Sequence, residues 1–361
     1  LGMSAAQEKS YWIWMASLPG MGAKTFYTLL KEYGSAADFF DAVSAGNVPA
    51  GLAPTEVMAA ASAACSRARV TEILAELSAK RITAVTRLDD DYPSRLAEIP
   101  WPPPVLFVRG NLPALDNAIG IVGTRACTRR GYEHARKIAA ELGMPVVSGM
   151  ARGIDTAAHL GAMDAKASTV AVLGCGVDVI YPPENDALYH MIIETGAVIS
   201  ELPLGTAPAV GNFPVRNRII AGLCRGLLVV ESGIRGGTAI TASLAVSYGR
   251  DIFAMPGPPY LESSALANEL IVQGAVPVRS AADIRACYGE RATQEESPEP
   301  EPLLQMDFFQ QRIYELLKKE DMGIEEIAEA VQGTPAEVSA ALTMMEIDGL
   351  CRRLPGGRFG I

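Results

Sequence analysis

A short run of mostly β-branched residues that ends directly in a glycine loop, Ala118-Ile119-Gly120-Ile121-Val122-Gly123-Thr124-Arg125, decides the fold of this chain. Strand-like runs that alternate with helical segments indicate a parallel sheet with helices on both of its faces. The sequence therefore predicts an α/β fold with an extended Rossmann-type parallel sheet. Six further runs of the same kind follow: Pro145 to Ser148, Thr169 to Leu173, Ala197 to Ser200, Leu227 to Glu231, Ile252 to Met255 and Val276 to Val278.

The residues before this region have the apolar spacing of helices and predict an N-terminal helical domain over 1–84, similar to SAM or helix-hairpin-helix domains. A glycine turn at residues 18–22 divides the first two helices. Such a turn can direct backbone N–H groups at a phosphate, but a simple connection is the interpretation that we favour. The proline-rich run at residues 100–104 interrupts regular structure. We expect the sheet domain to span residues 85–289.

The C-terminal part predicts a linker and a second small domain. Residues 290–302 contain five acidic residues and three prolines, a composition typical of an extended linker. Residues 303–361 predict a winged-helix-like domain whose helices run from Phe309 to Lys319, from Ile324, and from Pro335 to Asp348, with Thr334 as an N-cap. The third helix contains no Lys or Arg, which favours a protein contact over duplex DNA binding.

Charge and composition limit the possible functions. The 361 residues carry a net charge of −10, but residues 118–289 are neutral, with 14 basic residues, of which 12 are arginines, and 14 acidic ones. A neutral domain can still present one cationic face. The chain has no apolar run of membrane-spanning length and no secretory signal pattern, so we expect a cytoplasmic protein without a membrane partner. Its six cysteines form no C-x-x-C pair, and we expect neither a metal nor a cofactor.

The unusual residues of the central domain fall where the predicted strands end. Open parallel sheets bind ligands at the carboxyl ends of their strands, and glycines there allow a phosphate to approach the backbone. Arginines add planar donors for phosphate, and an exposed aromatic ring can stack on a base. The predicted binding residues are Gly123, Thr124, Arg125, Ser148, Gly149, Arg152, Gly174, Phe213, Arg216, Asn217, Arg218, Gly236, Gly237 and Thr238.

The number of these loops exceeds what the binding of one dinucleotide requires. The G-x-G-x-x-G fingerprint with its acidic residue is also absent, so a longer polyanion fits the sequence better. Structural alternatives stay open for three side chains. Asp155 could cap a helix, His159 could be a buried helix histidine, and Phe213 could be a packing residue at a helix start.

Several of these segments closely resemble the DNA processing protein A family, also called Smf. The resemblance covers roughly residues 85–285 and implies a bacterial protein that binds single-stranded DNA during natural transformation and loads the RecA recombinase onto it. It also implies a homodimer formed through the sheet domain, and no catalysis. The matching segments are Asp91 to Leu96, Gly123 to Arg125, Ser148 to Asp155 with His159, Tyr181-Pro182, Ser200-Glu201, Phe213 to Leu223 and Pro256-Gly257.

By position in these motifs, Arg125 resembles the DNA-contacting arginine of the family and Phe213 its base-contacting aromatic residue. The chain departs from the family at four positions. Thr124 replaces a serine, and Val210, Pro183 and Leu266 stand where many members have a lysine, a basic residue and a glycine. Losing a basic residue at such a position weakens binding without moving the site.

Two other functions remain in competition at this point. Gly236-Gly237-Thr238 partly matches a motif of related Rossmann enzymes that hydrolyse nucleoside monophosphates to the free base, in which Glu201 or Glu231 would act as the carboxylate catalyst. Alternatively, the protein is chiefly a scaffold whose helical and winged-helix domains bind other proteins.

Overall fold

The computed structural model describes residues 4–48, 51–289, 308–347, 350–354 and 357–360. The chain divides into two compact units, Leu1–Ala292 and Thr293–Ile361. The predicted linker at residues 290–302 lies outside the described residues.

The first unit begins with five helices. A capping box at Ser4 starts α1, and the predicted glycine turn joins α1 to α2. The indole N–H of the buried Trp14 donates to the carbonyl of Ala64 at 2.9 Å, and Glu8 accepts from the backbone N–H of Ala36 at 2.8 Å. These bonds join α1 to α3 and to the end of α4. The helices are α1 (Ala5–Ala16), α2 (Ala23–Tyr33), α3 (Ala36–Ser44), α4 (Thr55–Ala64) and α5 (Arg67–Ala79).

A nine-stranded sheet forms the centre of this unit, in the order β1-β2-β6-β5-β4-β3-β7-β8-β9. All seven predicted strands are present and pair in parallel as β3 to β9, which confirms the extended Rossmann-type sheet. The strands are β1 (Ile82–Thr86), β2 (Val105–Gly110), β3 (Ile119–Val122), β4 (Val146–Ser148), β5 (Thr169–Val172), β6 (Ala197–Ser200), β7 (Gly226–Val229), β8 (Asp251–Ala254) and β9 (Val276–Pro277).

Two strands, β1 and β2, were not predicted. They add an antiparallel hairpin beside β6. The expected domain boundary after residue 84 falls inside β1, and the N-terminal helices share a hydrophobic core with the sheet through residues such as Trp14, Phe107 and Val198. Residues 4–48 and 51–84 thus pack as part of the same unit as the sheet.

Helices cover both faces of the sheet. One face packs against α6, α10, α11 and α12, and the other against α7, α8, α9 and α13 together with the N-terminal helices. Their bounds are α6 (Ser94–Ala97), α7 (Arg129–Glu141), α8 (Ile154–Asp164), α9 (Asp186–Thr195), α10 (Asn212–Leu223), α11 (Gly237–Ser247), α12 (Ala265–Val272) and α13 (Ala281–Cys287).

The described residues of the second unit form three helices and a three-stranded antiparallel sheet, which is the winged-helix arrangement that the sequence predicts. Ile313, Ile327 and Leu342 form part of its separate core. Thr334 caps the third helix as predicted, since its hydroxyl accepts from the N–H of Glu337 at 3.3 Å. The elements are α14 (Phe308–Leu317), β10 (Met322–Gly323), α15 (Ile324–Val331), α16 (Pro335–Ile347), β11 (Arg352–Arg353) and β12 (Arg358–Gly360), with strand order β10-β12-β11.

Candidate functional site

The candidate site lies where the strand order of the large sheet reverses. After β3 the chain builds the sheet outward through β4, β5 and β6, and then returns to place β7 on the other side of β3. Such a switch point opens a crevice at the carboxyl ends of the strands. Here it is a cleft of about 510 Å³ that gathers three of the predicted loops, at residues 122–125, 210–217 and 232–238.

The loop after β3 requires glycine at its first position. A Cβ atom on Gly123 would lie 2.5 Å from the side chain of Ile154 and 2.8 Å from the carbonyl oxygen of Glu231. The N–H of Thr124 donates to this carbonyl at 2.6 Å, and its own carbonyl accepts from the N–H of Ile154 at 3.3 Å. The loop is thereby fixed between β7 and α8, and Arg125 projects from it to the surface.

Arg125 and two aromatic rings form the centre of the cleft. The guanidinium carbon of Arg125 lies 5.4 Å from the ring centroid of Phe213, and that ring lies 5.5 Å from the ring of Tyr181 at an interplanar angle of 33°. Phe213 stands at the start of α10 and packs on Gly174, where a Cβ atom would come within 2.8 Å of the ring. The half-buried ring is therefore oriented by its contacts, and the part of it that faces solvent can stack on a ligand.

The loop after β4 supports the cleft from below. Gly149 and Ala151 donate their backbone N–H groups to the carboxylate of Asp155 at 3.2 and 3.3 Å. The predicted contact residue Ser148 is fully buried, and its hydroxyl donates to the carbonyl of Ile121 at 2.7 Å. Ser148 therefore joins β4 to β3 and does not reach a ligand, which corrects its place among the predicted binding residues.

Arg216 and Asn217 are likewise buried. One guanidinium nitrogen of Arg216 donates to the carbonyls of Gly149, at 2.8 Å, and Val172, and burial lowers the pKa of this arginine. The side-chain amide of Asn217 donates to the carbonyl of Gly237 at 3.1 Å. The sequence predicted surface donors at both positions. The structure instead places them beneath the cleft, where they hold the loops after β4, β5 and β7 in position.

Carboxylates neutralise two other predicted arginines. Arg218 pairs with Glu201 in a nearly enclosed contact, and its guanidinium also donates to the carbonyl of Trp101 at 3.1 Å. Arg152 pairs with Glu184, but there both side chains are about half exposed. An exposed ion pair contributes little to stability, so a phosphate can compete for Arg152, whereas Arg218 is committed to Glu201.

The loop after β7 leads into α11, which begins at Gly237 as the predicted glycine turn implies. Gly236 has φ of +131°, a value that favours glycine. Gly237 and Thr238 form the first turn of this 11-residue helix and line the cleft together with the exposed Arg235. Within the described parts of the chain, neither Arg125 nor Arg235 has a carboxylate partner.

The residues considered for hydrolysis have structural partners. Glu231 accepts from the hydroxyl and the backbone N–H of Thr128 at 2.6 and 2.8 Å, which anchors the start of α7. Glu201 is held by Arg218. His159 is fully buried, and its Nδ1 lies 2.7 Å from the hydroxyl of Thr169. His159 is thus the buried helix histidine of the structural alternative. Asp155 does not cap α8, because the N-cap residue is Gly153 and the carboxylate of Asp155 accepts from the loop that precedes the helix.

Sequence reasoning alone left Tyr181 and Glu184 without a role at the site. Tyr181 stacks beside Phe213, and Glu184 lies two residues after Pro182 and reaches Arg152. The only sequence signal was the Tyr181-Pro182 pair that follows the glycine loop of β5. Of the positions that depart from the family pattern, Val210 lines the cleft and is 87% exposed.

The described residues contain no cluster of three or more His, Cys, Asp or Glu side chains that could hold a metal ion. None of the helices described is long and apolar enough to span a membrane. The fold and the cleft define the class: an α/β protein of Rossmann type with a switch-point cleft lined by glycine loops and arginines, and a winged-helix unit.

Comparisons with known proteins identify the family. A family model described as DNA recombination-mediator protein A matches residues 83–289, and another, the DprA winged helix domain, matches residues 294–357. The chain is 34% identical over 327 residues to protein Smf of Synechocystis sp., covering 80% of this chain and 82% of the relative. It is 44% identical over 202 residues to DNA processing protein DprA of Streptococcus pneumoniae, covering 55% and 72%. The chain belongs to the DNA processing protein A (DprA/Smf) family.

Solved structures give the same result. The X-ray structure of DNA processing protein A from Streptococcus pneumoniae matches with a TM-score of 0.67 at 33% identity, covering 79% of this chain and 98% of that one. A structure of DNA processing protein A from Helicobacter pylori, reported for its single-stranded DNA binding mode, matches with a TM-score of 0.52 at 26% identity, covering 58% and 95%.

Proposed function

We propose that this protein binds single-stranded DNA in the switch-point cleft and that Arg125 and Phe213 are its main contacts. The observation that carries this proposal is the guanidinium of Arg125, which has no carboxylate partner among the described residues and lies 5.4 Å from the half-buried ring of Phe213. A single strand offers both a phosphate for the cation and an unpaired base for the ring, whereas the bases of a duplex are already stacked.

The surrounding residues extend this surface in both directions. The N-terminal turn of α11 and Arg235 can accept another phosphate on one side. On the other side, Arg152 becomes available when a phosphate displaces Glu184. None of these groups reads the edge of a base, so binding tolerates any sequence and depends strongly on salt.

The test compares labelled single-stranded and duplex oligonucleotides of the same length by fluorescence anisotropy at two salt concentrations. We expect tighter binding of the single strand and a loss of affinity at the higher salt concentration. Equal affinity for the two forms of DNA would contradict the proposal.

Family membership supports the next step, in which the bound strand is passed to the RecA recombinase by a homodimer formed through the sheet domain. The family model is described as a recombination mediator. Sedimentation of the full chain tests the dimer. RecA ATPase activity on strands coated with single-strand binding protein tests the loading. A monomer at micromolar concentration would contradict the proposed dimer. RecA ATPase activity that the protein does not stimulate would contradict the proposed loading.

We infer that the protein does not act as an enzyme, because Glu201 and Glu231 are already engaged by Arg218 and Thr128. Incubation with AMP should release no free adenine. We also infer a protein-binding role for the winged-helix unit, since α16 carries no Lys or Arg. A chain that ends at residue 292 should then keep its affinity for single strands.

A further inference from the structure

The edge of the sheet that carries the cleft extends beyond it. β2 runs antiparallel to β6, and β1 runs antiparallel to β2, so β1 points in the same direction as the parallel strands. The residue that follows β1, Arg87, therefore lies at the edge that holds the cleft. The segment that leads into β2, including Trp101, lies at this edge as well.

Trp101 is exposed and held in a fixed position. It is 48% exposed, whereas the other two tryptophans of the chain, Trp12 and Trp14, are buried. Its backbone has φ of +54°, a left-handed conformation that is unusual for a bulky residue and that clusters at functional sites. Its indole ring lies 6.4 Å from the ring of Tyr27, at an interplanar angle of 36°.

Three hydrogen bonds fix the loop that presents this ring. The carbonyl of Trp101 accepts from Arg218 at 3.1 Å, and the carbonyl of Pro103 accepts from the hydroxyl of Tyr92 at 2.7 Å. The backbone N–H of Arg87 donates to the carbonyl of Pro104 at 3.1 Å. The loop is thus preorganised, and its ring does not have to be ordered when a ligand stacks on it.

Positive charge accompanies the ring. The guanidinium carbon of Arg87 lies 5.3 Å from the ring centroid of Tyr92. Burial raises the pKa of Tyr27 to about 12, and the nearby charge of Arg87 opposes this rise. Arg87 is exposed and has no carboxylate partner in the ranges that the structure describes.

Of the three acidic residues in the same loop, one is paired and the other two line a different cleft. Asp89 is paired with Lys9 at 2.7 Å, and Asp90 and Asp91 line a different cleft, together with Ser94 and Asp116. The surface around Trp101 is therefore aromatic and cationic, as is the centre of the main cleft.

We propose that Trp101 and Arg87 form a second stacking position for the same DNA strand, which runs from Phe213 across the ends of β5, β6 and β2. This inference rests on the proposed function. Three strand spacings of ~4.8 Å separate β5 from β1, a span of about 14 Å that a bound strand has to bridge to reach Trp101. Short oligonucleotides occupy only the main cleft, and longer ones reach Trp101.

Intrinsic fluorescence tests the proposal, because the exposed Trp101 is the tryptophan that a bound base can reach. We expect a 20-nucleotide oligothymidine to quench the tryptophan emission of the full chain and a 3-nucleotide one to leave it unchanged. Trp101→Phe should abolish the quenching and keep most of the affinity. Trp101→Ala should weaken binding of the long strand at least about fivefold.

Arg87→Gln should weaken binding of the long strand and reduce its salt dependence. The matched control is Arg81→Gln, because Arg81 is also exposed but precedes β1 and so lies at the opposite edge of the sheet. We expect the control to bind as the parent chain does.

The outcomes separate this inference from the function on which it rests. Anisotropy that reports binding of the long strand while the tryptophan emission stays constant would overturn the second position and leave the main cleft intact. Equal losses in Arg87→Gln and Arg81→Gln would also overturn it. If neither method detects binding of single strands, the proposed function fails, and the second position fails with it.

Discussion

The guanidinium of Arg125 lies over the ring of Phe213, although the two residues come from loops that are 88 positions apart in the chain, and their separation is 5.4 Å from guanidinium carbon to ring centroid. The parallel sheet brings them together. The loop after β3 carries Arg125, the first turn of α10 carries Phe213, and both line the same cleft. A cation over an aromatic face is itself weakly attractive. The contact therefore orients both groups before any strand binds.

Removing the charge of Arg125 should weaken binding of single strands without destabilising the fold. Since Arg125 is exposed and has no ion pair in the described structure, Arg125→Ala should weaken binding roughly tenfold or more. The slope of log K against log salt should fall by about 0.7, as expected for one lost phosphate contact. A salt titration by anisotropy measures both changes. The control is Lys137→Ala on the outer surface of α7, which should leave the slope unaltered.

The ring of Phe213 can be displaced by a substitution at a neighbouring residue, without replacing Phe213 itself. A Cβ atom at Gly174 would lie 2.8 Å from this ring, so Gly174→Ala should push it out of place and weaken binding several-fold, while the circular dichroism spectrum stays that of the parent. The control is Gly211→Ala, because Gly211 has open space around its Cβ position and φ of −67°. Equal affinities for the two variants would show that the position of the ring is unimportant.

The surface pair of Arg152 and Glu184 should limit affinity. Because Glu184 competes with phosphate for Arg152, Glu184→Gln should strengthen single-strand binding by about two- to fivefold at low salt and steepen the salt dependence. The control for the change in total charge is Glu141→Gln. Glu141 is also paired with a cation, Lys137, but stands at the C-terminal end of α7. An increase of the same size in both variants would point to total charge instead of this pair.

Arg218 should affect stability more than binding. Arg218→Ala leaves Glu201 buried without its cation, which should lower the free energy of unfolding by roughly 3–5 kcal/mol. The salt slope of DNA binding should not change. The double variant Arg218→Ala/Glu201→Gln should recover part of the lost stability, because the unpaired charge is then absent. Thermal denaturation measures these differences, and a single variant as stable as the parent would contradict the assignment.

Burial of His159 should make the fold sensitive to acid. Burial lowers the pKa of His159 to about 3, so between this pH and about 6.5 the unfolded chain binds a proton that the folded chain does not. The free energy of unfolding should therefore fall as the pH decreases through this window, by up to about 1.4 kcal/mol per pH unit for this group. Urea denaturation at several pH values should give a shallower dependence for His159→Gln. A variant with the parent's pH dependence would contradict this explanation.

The parallel strands were predictable because buried strands of an α/β sheet are continuous apolar runs that end in glycine loops. β1 and β2 were missed for identifiable reasons. β1 alternates apolar residues with threonine directly after the helix α5, and β2 directly follows a proline run, which predicts a break in regular structure. β2 is defined by its pairing with β6, which lies almost 90 residues later in the chain, and β1 is defined by its pairing with β2.

The cleft was predictable in position but not in the state of its arginines. Arg125 stands in a loop and Arg216 near the start of α10, both close to glycines, and nothing in their immediate sequence distinguishes a buried guanidinium from an exposed one. The difference comes from the carbonyls of Gly149 and Val172, more than 40 residues away, which accept from Arg216. In the same way, the pairing of Arg218 with Glu201 depends on how α10 lies against the end of β6.

The ion pair between Arg152 and Glu184 gives this surface a counterion that belongs to the protein itself. A polynucleotide that takes Arg152 must evict the carboxylate of Glu184, and that carboxylate is tethered and does not diffuse away into the buffer. The net number of salt ions released when a strand binds is then smaller than the number of arginines in the site would suggest. The salt dependence of binding at the proposed site should therefore be shallower than its number of arginines implies.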